Sequence, residues 1–198
     1  MKTTLLSSLA VTILLTSCET KRSETKDQLV EAGQDTAVMA RDSRSASTMA
    51  YDNWDMTTAK LNDVKFSEIT SSGVIVRGDS AYNIYSVEEK VLFETEKAEI
   101  KPGAAEALQQ ITGSIGQRYG TSQVRVMGFA DSRGDKSYNR ELSEKRAEAV
   151  KNYLVSNGKI DAARVSVEPM GETMPVATNA TATGRQENRR VEIAVRTR

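Results

Sequence analysis

The second half of the chain predicts a two-layer α/β domain. Three observations predict it. Val124–Phe129 alternates apolar and polar residues as a strand does. Residues 105–115 and 140–156 place apolar side chains at helical spacing. Short strand-like runs at 90–93, 164–168 and 191–195 flank them, so the order is strand, helix, strand, helix, strand, strand.

The elements follow in order. Residues 1–17 begin with Lys2 and carry an apolar run over 5–15. As a helix that run would be about 16 Å long, short of a bilayer core of about 30 Å, so it reads as a secretory signal. Residues 18–63 are rich in Ser, Thr, Ala, Asp and charges of both signs, with few apolar residues, and read as a flexible tether. Tyr51, Trp54 and Met56 are a small aromatic cluster within it. Residues 64–86 predict a β-hairpin around Arg77-Gly78-Asp79, placed before the domain proper as an extension of its sheet edge. The domain itself is set at 87–198.

Within the domain, Lys90 to Phe93 reads as the first strand and Phe93 as core. A loop follows, and Pro102 suits the first turn of a helix whose stripe is Ala105, Leu108, Ile111, Thr112 and Ile115. Gly120 closes that region. The second helix is expected to be capped near Ser137, to run over 140–156 and to stop at Gly158. A Gly-, Pro- and Thr-rich connection from 171 to 188 leads to the last strand. Glu88 and Glu89 read as a solvated face, and the two Arg-Gly-Asp triplets, 77–79 and 133–135, as turn chemistry.

The second helix holds one anomaly. Leu142, Val150, Tyr153 and Leu154 form its apolar stripe, yet position 146, on that stripe, is arginine. A core-facing guanidinium needs a partner. Asp131 is the nearest candidate, at the carboxyl end of the preceding strand, where ligands of open α/β sheets sit. Two readings stand: a structural ion pair, or a carboxylate and a guanidinium lining one cleft.

Bulk properties narrow the function. Lysine and arginine total 27, as do aspartate and glutamate, which gives no reason to expect nucleic acid. Histidine is absent and cysteine occurs once. The commonest general base, the commonest metal ligand and any thiolate cluster are therefore missing, and neither catalysis nor a metal or cofactor is expected.

Two stretches carry resemblances. Leu15-Thr16-Ser17-Cys18 resembles a bacterial lipobox. That implies cleavage before Cys18, a diacylglyceryl group on its thiol and an acylated (palmitate-type) amino terminus. Glu19 in the next position favours the outer membrane over the inner. Gly128-Phe129-Ala130-Asp131, Gly134, Tyr138-Asn139, Leu142-Ser143, Arg146-Ala147, Gly171-Glu172, Pro175 and Asn188-Arg189-Arg190-Val191-Glu192 resemble the OmpA-like peptidoglycan-binding domain. Ala130 stands where that family usually has Thr, and Glu94 where Asp is common.

The resemblance implies a mixed sheet with two helices on one face. It also implies that the cleft holds the diaminopimelate residue of a peptidoglycan stem peptide. Asp131 would take the ammonium and Arg146 the carboxylate, with Asn139 at the same ligand. One of Asn188, Arg189 and Arg190 would support the cleft. In the empty site Asp131 and Arg146 would neutralise one another. The expected role is a non-catalytic tether between outer membrane and cell wall. A periplasmic interaction module of a Tol-type system, like the peptidoglycan-associated lipoprotein, is a role compatible with it.

Overall fold

The computed structural model describes Trp54, Met56 and residues 59–197. The expected signal, Cys18, Tyr51 and most of the expected tether lie outside the described residues.

Six strands form one sheet: β1 (Asn62–Asp63), β2 (Val74–Gly78), β3 (Tyr82–Glu88), β4 (Val124–Phe129), β5 (Val165–Gly171) and β6 (Arg190–Arg196). Among the described residues four α-helices join them: α1 (Glu89–Leu92), α2 (Ala105–Arg118), α3 (Lys136–Ser156) and α4 (Ala182–Asn188). The strand order is β1-β2-β3-β6-β4-β5. The β4–β5 pair is parallel and the others are antiparallel, so the sheet is mixed as expected.

The core forms between α2, α3 and one sheet face. Leu108, Ile111 and Ile115 of α2 and Ala147, Val150 and Leu154 of α3 are fully buried against Tyr85, Val87, Val124, Val126, Ile193 and Val195. Each such aliphatic side chain contributes roughly 1.5–3 kcal/mol by leaving water.

Several expectations are corrected. Lys90 to Phe93 is not a strand: Glu89–Leu92 makes one helical turn, and Phe93 keeps a single bridge to Ile100. The strand that fills this place in the order is β3. The expected hairpin is present as β2 and β3 and extends the sheet from β6, but its second strand runs to Glu88 and pairs with β6 along seven registered positions. Asn62–Asp63, assigned to the tether, pairs with β2. The cap of α3 is Asp135, whose carboxylate accepts from Ser137 N at 2.8 Å, so the helix starts at Lys136 and not at 140. The connection after Gly171 contains α4, capped by Thr181 Oγ1 accepting from Gly184 N at 3.0 Å. β4 is buried at every residue instead of alternate ones, and its polar member Arg125 pairs with Glu168 at 2.7 Å.

The strand order also sets up the site. β6 lies between β3 and β4 and runs antiparallel to both. The carboxyl ends of β3 and β4 and the amino end of β6 therefore meet at one edge. Glu88 pairs with Arg190 and Gly128 with Val191 at that edge.

Candidate functional site

Four charged side chains converge where these strand ends meet. Glu89 follows β3, Arg189 precedes β6, Asp131 lies two residues beyond β4, and Arg146 comes back to them from α3. The buried face of α3 explains the last. It is polar in its first half (Asn139, Ser143, Arg146) and apolar in its second (Ala147, Val150, Leu154). The apolar half anchors the helix on the sheet, and Asn139 and Arg146 of the polar half line a cleft of about 530 Å³.

Arg146 is 2% exposed. Its Nη2 pairs with Glu89 Oε1, its Nε donates to the Lys97 carbonyl at 2.9 Å, and its guanidinium lies 5.5 Å from the Phe93 ring centroid. Glu89, 7% exposed, reaches a second cation through Oε2, which accepts from Arg189 Nε. Arg189 Nη1 donates to Asp131 Oδ2 at 2.6 Å, and its Nη2 to Gln186 Oε1 at 3.1 Å. The chain of charges thus runs Asp131, Arg189, Glu89, Arg146. A backbone bond from Glu89 N to the Arg189 carbonyl, 3.0 Å, fixes its centre. Among the described residues, the buried Gln186 Nε2 has no acceptor.

The electrostatics follow from burial and pairing. Burial lowers the Arg146 pKa, and Glu89 opposes the shift. Burial also disfavours the Arg189 cation, but bonds from Asp131 and Glu89 outweigh it and raise its pKa. Both guanidiniums remain charged, as arginine does in proteins.

The structure sorts the residues singled out from sequence. Asp131 and Arg146 line the same cleft, but they do not neutralise one another: Arg189 holds the first and Glu89 the second. Asn139 also lines it, though its amide is engaged in bracing the loop, donating to the Asp131 and Arg133 carbonyls at 3.2 and 2.8 Å. Of Asn188, Arg189 and Arg190, Arg189 enters the cleft. Asn188 instead ties the 176–179 segment, accepting from Val176 N and Ala177 N at 2.9 Å. Arg190 stacks 3.7 Å from the Phe129 ring centroid and pairs with Glu192 at 2.7 Å. Phe93 is core, 2% exposed, and also forms part of the cleft wall.

Glu89 is the residue that sequence reasoning missed. It belongs not to a solvated face but to the buried centre of the charge chain. The signal for it was present: an arginine on an apolar stripe demands a carboxylate, and Glu88-Glu89 at a strand end puts one of two neighbours inward.

Comparison with known proteins places the chain in a family. The OmpA family model matches residues 92–189. Putative lipoprotein YfiB of Escherichia coli is 31% identical over 109 residues, covering 55% of this chain and 68% of that protein. The chain belongs to the OmpA family. Probable lipoprotein YiaD of the same organism is 33% identical over 141 residues, 71% of this chain and 62% of the relative. Among solved structures, the cell wall anchor of the T6SS from Pseudomonas aeruginosa superposes with a TM-score of 0.60 at 32% identity, over 66% of this chain and 92% of that one.

Across eight curated relatives, this OmpA-family chain spans 13% to 68% of the relative's length. The family match starts at Leu92 and ends at Arg189. Asp131, Asn139, Arg146 and Arg189 fall within it. Glu89 and the β2–β3 hairpin fall before it.

Proposed function

We propose that this chain is a non-catalytic outer-membrane lipoprotein whose cleft binds the diaminopimelate residue of peptidoglycan and so tethers membrane to wall. The observation that carries the proposal is the cleft itself, in which the carboxylate of Asp131 and the guanidinium of Arg146 are both presented to one cavity. Diaminopimelate carries an ammonium and a carboxylate on one carbon. Asp131 takes the ammonium and Arg146 the carboxylate, each through charge-assisted hydrogen bonds. Arginine suits the second role because its planar fork grips both carboxylate oxygens. Asn139 acts through the loop it braces, holding Asp131 at the mouth.

Three further facts support this reading. The T6SS structure that matches over most of its length is described as a cell wall anchor. The relatives YfiB and YiaD are described as lipoproteins, and YfiB of Pseudomonas aeruginosa as an outer-membrane one. Cys18, the sole cysteine, stands where a lipid anchor requires it.

The charges also set selectivity. A lysine-type wall lacks the second carboxylate, so a ligand from it makes no charge-assisted pair with Arg146, which stays on Glu89. Co-sedimentation of the protein with diaminopimelate-type and lysine-type sacculi tests the proposal. Wild type should pellet with the first and remain soluble with the second, while folded Asp131→Ala and Arg146→Ala variants should stay soluble with both. Equal pelleting of all three proteins would overturn it.

A further inference from the structure

Arg146 offers an incoming carboxylate a contested grip. Its Nε is engaged by the Lys97 carbonyl and its Nη2 by Glu89, so Nη1 is its one nitrogen with no acceptor among the described residues. A carboxylate held by both oxygens at the end of a guanidinium needs Nη1 and Nη2 together. At Nη2 it meets Glu89. Two carboxylates on one donor repel, and the site is buried enough that water screens them weakly. Glu89 has another place to go, because its second oxygen already rests on Arg189.

We propose that Glu89 is an internal occupant of the ligand-carboxylate subsite, and that ligand binds by displacing it from Arg146 onto Arg189. This deepens the peptidoglycan reading and rests on it. Glu89 thereby becomes a specificity-determining residue. In the empty protein it keeps a buried guanidinium paired, which an unpaired charge could not sustain. It yields Arg146 to a ligand that brings its own carboxylate. A ligand without one gives Glu89 nothing to exchange for and is refused. Glu89 precedes the segment matched by the family model, so the device is not part of the matched pattern.

The test is calorimetric titration of the full chain in detergent with two muropeptides, one carrying diaminopimelate and one carrying lysine. Four proteins are compared: wild type, Glu89→Gln, Glu89→Ala and Arg146→Ala, with folding checked by circular dichroism. Glu89→Gln keeps the shape and a hydrogen-bond acceptor but removes the competing charge. It should bind the diaminopimelate muropeptide roughly tenfold more tightly than wild type and leave the lysine muropeptide unchanged. A purely structural role would move both ligands together. If wild type binds, Arg146→Ala does not, and Glu89→Gln binds equally or more weakly, then Glu89 is a brace and the displacement proposal is wrong while the peptidoglycan reading survives. If wild type and Arg146→Ala are indistinguishable, the peptidoglycan reading itself fails and takes this proposal with it. Should the Glu89 variants not fold, arginine side-chain NMR on wild type decides. Displacement shifts the Nε–H signals of both Arg146 and Arg189 when ligand is added, and a shift at Arg146 alone overturns it.

Discussion

Arg189 Nη1 sits 2.6 Å from Asp131 Oδ2, joining two residues 58 positions apart in the chain. The pairing leaves Asp131 unavailable to neutralise Arg146 and makes Arg189 the bridge between the two carboxylates of the cleft. Asp131 keeps one oxygen on this guanidinium and the other on Arg133 N, 2.9 Å away. Its position at the cleft mouth is therefore set from both sides.

Removal of Arg189 should damage both stability and binding. Arg189→Ala strips a partner from each of two buried carboxylates. Buried pairs broken on one side lose about 3–5 kcal/mol, and the partial exposure of Arg189 reduces this to about 2 kcal/mol. Arg189→Lys should recover less than half of it, since one ammonium does not fork onto two carboxylates as a guanidinium does. Urea unfolding gives the stability and sacculus co-sedimentation the binding. A lysine variant equal to wild type in both would show that charge alone suffices.

The start of α3 provides a second prediction. Asp135, and not Ser137, caps the helix that carries Asn139 and Arg146. Asp135→Ala should lower stability by about 1 kcal/mol. Ser137→Ala should lose less, because its hydroxyl donates to Asp135 Oδ1 at 2.6 Å but satisfies no helix N–H. Urea midpoints rank the two, and the reverse order would restore Ser137 as the cap.

The helix α2, most of α3, and the positions of β4, β5 and β6 were legible because each is written in local periodicity. Arg146 was legible for the same reason, since a charge on an apolar stripe breaks a pattern that a reader can count. The meeting of Glu89 with Arg189 was not. Their encounter spans 100 positions and depends on β6 inserting between β3 and β4, which no local spacing announces. The misread 90–93 segment has a similar cause. Val91, Leu92 and Phe93 are apolar enough for a strand, but the sheet edge ends at Glu88, and the chain must turn there to carry Phe93 under Arg146. The cap at Asp135 was missed because Asp and Ser occur two residues apart and are both good caps.

Acid should weaken one attachment outside the cleft. Arg118 donates to Glu68 through Nε and, at 3.0 Å, through Nη2, and its guanidinium lies 4.1 Å from the Phe66 ring centroid. Ser114 Oγ donates to the same carboxylate at 2.7 Å. The hydrogen bond from Arg118 is the main cause that holds the Glu68 pKa at about 2, against an ordinary 4.5. A depressed folded-state pKa stabilises the fold above the unfolded value and ceases to do so as pH falls through the folded one. The difference in urea midpoint between wild type and Glu68→Gln should therefore be constant above about pH 5, shrink below about pH 4.5 and vanish near pH 2. A difference that does not change with pH would mean that the Glu68 charge is not what ties this segment down.

A tight contact between α3 and the sheet gives the last prediction. A Cβ built on Gly128 of β4 would lie 2.1 Å from the carbonyl oxygen of Ser143. That oxygen is helix backbone and cannot rotate aside, so Gly128→Ala must push α3 off the sheet. Ser143 also anchors the helix to the end of β5, its Oγ accepting from Gly171 N at 3.1 Å. Arg146 lies on the next turn. The displacement therefore reaches the core and the charge chain together. Overpacking of this kind lowers stability by about 3 kcal/mol, with no soft neighbour to absorb it. Gly113→Ala is the matched control. It sits in α2 with nothing within 4 Å of its Cβ, and alanine there should stabilise the helix by about 0.5–1 kcal/mol. Urea unfolding of both variants and muropeptide titration of the first check the pair. If Gly128→Ala stays within about 0.5 kcal/mol of wild type and binds normally, then α3 has room to move and Arg146 is not positioned by this contact.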